Sequence, residues 1–153
     1  MKQRGMVIKM NSISRKELTA VLNTAQKNEV SSIAKMVSDK YEISIVRAPQ
    51  KTLTMVKMRE PVGESLFYLG EILCCECMVE IGGIKGFAVC MGDDFEKVKD
   101  CAVIDCALNA DLAECSEIKA EVIKLAVGQK NSRRAMNGEI MKSRVDFHTM
   151  GEM

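Results

Sequence analysis

The sequence predicts an α+β domain of two layers: a four-stranded antiparallel meander with N-terminal and C-terminal helices packed on it. Three observations carry this prediction. Apolar residues recur at helical spacing over residues 14–41, alternate over 42–91, and return to helical spacing over 94–140. The connections inside the alternating region are short, which favours antiparallel neighbours. A chain of 153 residues, 47% hydrophobic and 28% charged, suits a single domain (1–153) with one core.

Ser14-Arg15-Lys16-Glu17 has the form of a capping box, in which the Ser and Glu side chains each satisfy an otherwise unpaired amide. Leu18, Val21, Leu22 and Ala25 then share one helical face. Asn28 interrupts the pattern, and Val30, Ile33, Ala34, Val37 and Tyr41 repeat it, so two short tandem helices are expected. Ile43, Ile45 and Arg47 alternate with Ser44 and Val46 as a first strand. Ala48-Pro49-Gln50-Lys51 reads as a turn into a second strand, Thr52 to Met58. Pro61-Val62-Gly63-Glu64 is the next turn, and Leu66 to Ile81 the third strand. Gly70 within it marks a bulge or a close backbone approach. Gly82-Gly83 signals a hairpin into a fourth strand, Ile84 to Met91.

Asp93 with Glu96 reads as the cap of a helix from about Phe95 to Ala113. Between Cys101 and Leu112 that helix is apolar on most of its circumference, so it is buried on more than one side. A last helix runs from Glu117 to about Val127, with a possible extension past Gly128 into the basic stretch ending at Arg134. Residues 143–153 follow as a docking tail.

A net charge of +1 and a pI near 7.5 give no electrostatic case for a nucleic acid or an anionic membrane as partner. No segment approaches the roughly 18 apolar residues of a membrane span. Residues 1–12 lack the apolar run of a signal peptide. The expectation is a cytoplasmic protein whose seven cysteines are reduced. Twelve methionines and those cysteines fill space that rings would otherwise fill, since Trp is absent and Tyr and Phe are few.

Cys74-Cys75-x-Cys77 is the obvious candidate for a metal or thiol site. On a strand, Cys75 and Cys77 share a face and Cys74 points to the other. No second knuckle follows, so the favoured reading is cysteine as a small hydrophobe. Gly82-Gly83-x-x-Gly86 followed by Gly92-Asp93-Asp94 echoes a phosphate loop, but without its Lys-Ser/Thr. A hairpin and a helix cap are preferred there. Asp105 sits within Ala102-Val103-Ile104-Asp105-Cys106-Ala107-Leu108, where an unpartnered carboxylate is costly. It either accepts from a neighbouring loop or an arginine, or projects into a contact shared with another chain. Arg133, Arg134, Lys142 and Arg144 make a basic patch, either a solvated helix face or, with Phe147, a protein anchor. Nothing in the sequence forms a self-sufficient catalytic, cofactor-binding or metal site.

The tail combines an arginine, a carboxylate, an aromatic and apolar anchors: Ser143-Arg144-Val145-Asp146-Phe147-His148-Thr149-Met150. A terminal segment that is only solvated is simpler and more polar than this. It resembles the Ser-Arg-Val-Asp-Phe-Phe-Thr-Met end of the PhnG family of the bacterial carbon–phosphorus lyase system, with His148 in place of the second Phe. Phe67-Tyr68-Leu69-Gly70-Glu71 resembles the family's Phe-x-Leu-Gly-Glu/Asp element. Gly86 through Gly92-Asp93 resembles its Gly-strand-Gly turn, and Ala102-x-Ile104-Asp105-x-Ala107 its Asp-bearing helix. The similarity runs from about Arg15 to the C-terminus, and the cysteine cluster is no family hallmark.

The resemblance implies a subunit of a core complex with PhnH-, PhnI- and PhnJ-like chains. With a PhnL-like ATPase, such a complex supports attack of methylphosphonate on C1′ of ATP. Adenine leaves and α-D-ribose 1-methylphosphonate 5-triphosphate forms. ATP is then a substrate of the complex, and this chain carries no cofactor of its own. The residues expected at an interface or a shared site are Asp105, Arg144, Asp146, Phe147, His148 and Met150. The alternative is a free-standing thiol- or metal-dependent protein using Cys74, Cys75 and Cys77.

Overall fold

The structure is a computed structural model and describes residues 13–145. Two helices, α1 (Arg15–Thr24) and α2 (Lys27–Ser38), lead into three strands, β1 (Ser44–Arg59), β2 (Leu66–Ile81) and β3 (Ile84–Met91). Two helices follow, α3 (Phe95–Asn109) and α4 (Cys115–Lys142). The sheet is antiparallel in the order β1-β2-β3.

The capping box of α1 is present: Ser14 Oγ accepts from the Glu17 amide at 3.3 Å, and the Glu17 carboxylate accepts from the Ser14 amide at 2.8 Å. The break between the first helices falls at Ala25 and Gln26, not at Asn28, which lies inside α2. The Glu29 carboxylate accepts from the Gln26 amide at 2.9 Å and fixes the new start.

Among the described residues the sheet has three strands and not four. The predicted turn at Ala48 to Lys51 is an irregularity within one continuous strand. Arg47 pairs with Met78 and Gln50 with Glu76, so Ala48 and Pro49 together face Cys77. Pro49 has no amide to give, and β1 is an edge strand, where a bulge accommodates it without ending the ladder. Gly70 also marks a bulge: Val56 pairs with Gly70 and Lys57 with Tyr68, which leaves Leu69 over. Nothing lies within 4 Å of a Cβ placed at Gly70, so the close-approach reading does not apply there.

The close approach is at Gly86. A Cβ there would stand 2.4 Å from Cys106 Cβ and from Cys106 N, and 2.5 Å from the Ala102 carbonyl oxygen. Glycine lets α3 settle directly on β3. Cys75, Cys77, Val79 and Ile81 of β2 and Cys90 of β3 meet the buried side of α3. α2 and α4 also pack on α3, which explains its nearly all-apolar circumference. Gly82 and Gly83 make the tight β2–β3 turn with φ of 57° and 83°.

Several boundaries of α3 and α4 differ from expectation. The cap of α3 is Asp94, one residue later than predicted, and its carboxylate accepts from the Lys97 amide at 3.0 Å. α3 ends at Asn109, and Asp111 takes a left-handed φ of 48° in the turn to α4. α4 runs 28 residues to Lys142, because an exposed Gly128 costs only about 1 kcal/mol and does not end a helix.

Candidate functional site

The first functional feature is an arm. β3 pairs only with Cys74–Ile81 of β2, so Leu66–Leu73 pairs with β1 alone. This two-stranded ribbon extends about 25 Å. None of its residues from Thr52 to Leu73 is buried. Leu53, Met55, Met58, Phe67, Leu69 and Leu73 are all exposed, Leu53 by 61% and Leu69 by 62%. Both faces carry them, since Leu53 lies opposite Leu73 and Met58 opposite Phe67. A hairpin without a covered face is marginal in water, and an exposed apolar stretch of this extent marks an interaction surface.

The second feature is a polar seam along the free edge of β3. Asp105, almost wholly buried on α3, accepts from the Phe87 amide at 2.9 Å. Arg15 holds the same carboxylate from α1, Nε to Oδ1 at 3.2 Å and Nη2 to Oδ2 at 3.3 Å. Asn109 donates to Asp105 at 3.2 Å and to the Lys85 carbonyl at 3.0 Å. Further along, the Asn23 side chain donates to the Val89 carbonyl at 3.2 Å and accepts from the Met91 amide at 3.0 Å. Side chains of α1 and α3 thus stand in for a fourth strand and blunt the edge. Between them, Arg15, Leu18, Asn23, Val89, Cys90 and Cys101 help line a cavity of about 220 Å³.

The cysteines separate. Cys75 donates to the Cys90 and Asp94 carbonyls and Cys77 to the Arg47 carbonyl. Burial pushes both thiols up. All seven cysteines are buried and free. Among the described residues, no group of three or more Cys, His, Asp or Glu side chains is placed to hold a metal ion. The Gly-Gly and Asp-Asp segments serve the β2–β3 hairpin and the α3 cap.

Of the sequence-predicted residues, the structure places Asp105 in the polar seam and Arg144 exposed just beyond α4. They lie on different parts of the fold. Asp146, Phe147, His148 and Met150 lie outside the described residues. Arg133 and Arg134 are exposed on α4, whose residues after Gln129 are all exposed. Sequence reasoning missed Arg15 and Asn23. Their stripe on α1 with Leu18 and Leu22 was visible, but nothing local signals a sheet edge as its partner. No helix among the described residues is long and apolar enough to cross a membrane.

The profile of the family described as "Phosphonate metabolism protein PhnG" matches residues 13–151. The chain belongs to the PhnG family. A curated relative, the "Alpha-D-ribose 1-methylphosphonate 5-triphosphate synthase subunit PhnG" of Rhizobium meliloti (strain 1021), is 29% identical over 137 residues. The alignment covers 89% of this chain and 87% of that protein. The PhnG-like motifs read from the sequence fall on the features above. Phe67 to Glu71 forms part of the arm, Gly86 is the contact between β3 and α3, and Asp105 is the centre of the polar seam. The PhnG family match also spans the tail residues Arg144 to Met150.

Proposed function

We propose that this PhnG-family chain is the PhnG subunit of an α-D-ribose 1-methylphosphonate 5-triphosphate synthase in phosphonate catabolism. It acts in the cytoplasm as an accessory subunit. The synthase joins methylphosphonate to C1′ of ATP through a new O–C bond, the C1′–N bond breaks, and adenine leaves. This chain supplies scaffold, and the groups that act on the nucleoside lie on partner chains. Those partners are PhnH-, PhnI- and PhnJ-like subunits together with a PhnL-like ATPase.

One observation carries the subunit reading: the arm with exposed apolar residues on both faces. A free-standing protein has no use for such a surface, whereas an assembly covers it. The tail supplies a second contact, with Arg144, Asp146, Phe147, His148 and Met150 as its anchors. The test is co-expression of the tagged chain with the genes of the other subunits, followed by native mass spectrometry. A hetero-oligomer supports the subunit reading, and loss of this chain from it when residues 143–153 are removed supports the tail contact. Full retention of the truncated chain removes the tail from the interface.

A further inference from the structure

Five of the seven cysteines behave as small hydrophobes. Cys75, Cys77, Cys106 and Cys115 each donate to a backbone carbonyl, and burial raises each of these thiols. Cys74 is buried as well. Cys90 and Cys101 differ from them. Their sulfurs lie 3.6 Å apart and share a hydrogen bond. Both line the cavity beside the edge of β3, whose rim includes the exposed Arg15 and Thr19. A cavity of about 220 Å³ has room for several molecules the size of water, which takes about 30 Å³.

We propose that Cys90 and Cys101 form an oxidation site: a small hydroperoxide entering the cavity converts the two thiols into a disulfide joining β3 to α3. The two sulfurs have roles set by their surroundings. The hydrogen bond shared with Cys101 holds the Cys90 thiol below its ordinary value of 9.0, and the Lys97 ammonium adds to this against burial and Asp94. That hydrogen bond, with burial, pushes Cys101 up. With Cys90 as the attacking thiolate, Cys101 beside it at 3.6 Å is the resolving thiol. The Cys90 sulfur attacks one peroxide oxygen, the O–O bond breaks, and the leaving oxygen takes a proton to become water. Cys90 is then a sulfenic acid. The Cys101 sulfur attacks the Cys90 sulfur, the S–O bond breaks, and a second water leaves. Two thiols give up two electrons, and one hydrogen peroxide accepts them. The sulfurs must close by about 1.5 Å to reach the bonded distance of about 2.05 Å.

The experiment treats the reduced full-length protein with hydrogen peroxide. Remaining thiols are then alkylated under denaturing conditions, and the peptides are mapped without reduction. The expected result is a Cys90–Cys101 cross-linked peptide with alkylation at the five other cysteines. In Cys101→Ser, the same treatment should leave a sulfenic acid at Cys90 that dimedone captures. The cross-link in the unsubstituted protein decides the matter even if the variant does not fold. Alkylation of all seven cysteines while exposed Met91 and Met136 become sulfoxides overturns the proposal. So does a first disulfide at any other pair.

Discussion

Asp105 Oδ2 accepts the outward-facing amide of Phe87 at 2.9 Å, so a side chain of α3 closes a step of the sheet edge. Arg15 grips the same carboxylate through two nitrogens and ties α1 to this junction. Asp105→Ala leaves the Phe87 amide without its acceptor and the Arg15 guanidinium with Asn109 Oδ1 alone. The expected cost is about 3 kcal/mol of unfolding free energy. Arg15→Ala should cost less, about 1 kcal/mol, because the arginine is 66% exposed. Urea unfolding of both variants checks the order, and equal losses would show that burial of Asp105 contributes nothing extra.

Gly86→Ala tests the packing of α3 on β3. The added methyl meets a backbone nitrogen and a carbonyl oxygen at 2.4 and 2.5 Å, and neither belongs to a flexible side chain. A loss of about 3 kcal/mol is expected, at the upper end for overpacking. Gly70→Ala has open space at its Cβ and should change stability by less than about 1 kcal/mol. Denaturation midpoints of the pair read the contrast directly.

Much of the fold was legible, and the misses share a cause. The Ser14–Glu17 box and the Gly82-Gly83 turn are local, each decided within about four residues of chain, and both are present. Pro49 was misread as a turn because the ladder that carries β1 through it is made by β2, distant in sequence. Gly70 stood out as a strand glycine while Gly86 showed only as part of a glycine-rich segment, and only the placement of α3 assigns the close approach to Gly86. Asp105 was recognisable from its apolar neighbours. Its partner Arg15 lies ninety residues away and carries no signal of its own. The all-apolar stretch of α3 did announce a helix enclosed by other elements.

Glu114 gives the fold a pH dependence. Its carboxyl is held below its ordinary value of 4.5, chiefly by the hydrogen bond from the Lys40 ammonium at 2.9 Å, with the Tyr41 hydroxyl at 3.0 Å adding to it. A lowered folded value stabilises above the unfolded value and is lost as pH falls through the folded one. Glu114→Gln should therefore be less stable than the natural chain at pH 7, and the gap should shrink below pH 4.5. Thermal melts of both proteins across this range measure it. A gap that widens with acid has the wrong sign for this pairing.

The arm should separate folding from assembly. Leu53→Ser, Phe67→Ser and Leu69→Ser remove apolar surface that no described residue buries. Each should alter unfolding free energy by less than about 1 kcal/mol. Each should also weaken association with the other synthase subunits, because well-packed apolar anchors dominate interfaces. Co-purification yields set against melting temperatures distinguish the two effects.

The most direct measurement is native mass spectrometry of the tagged chain co-expressed with PhnH-, PhnI- and PhnJ-like subunits. The natural arm is compared with the combined Leu53→Ser, Phe67→Ser, Leu69→Ser variant. A stable hetero-oligomer is expected for the natural chain and a folded, dissociated monomer for the variant. A natural chain that stays monomeric beside all three partners would contradict the subunit reading, and a variant that assembles as well as the natural chain would contradict the role of the arm.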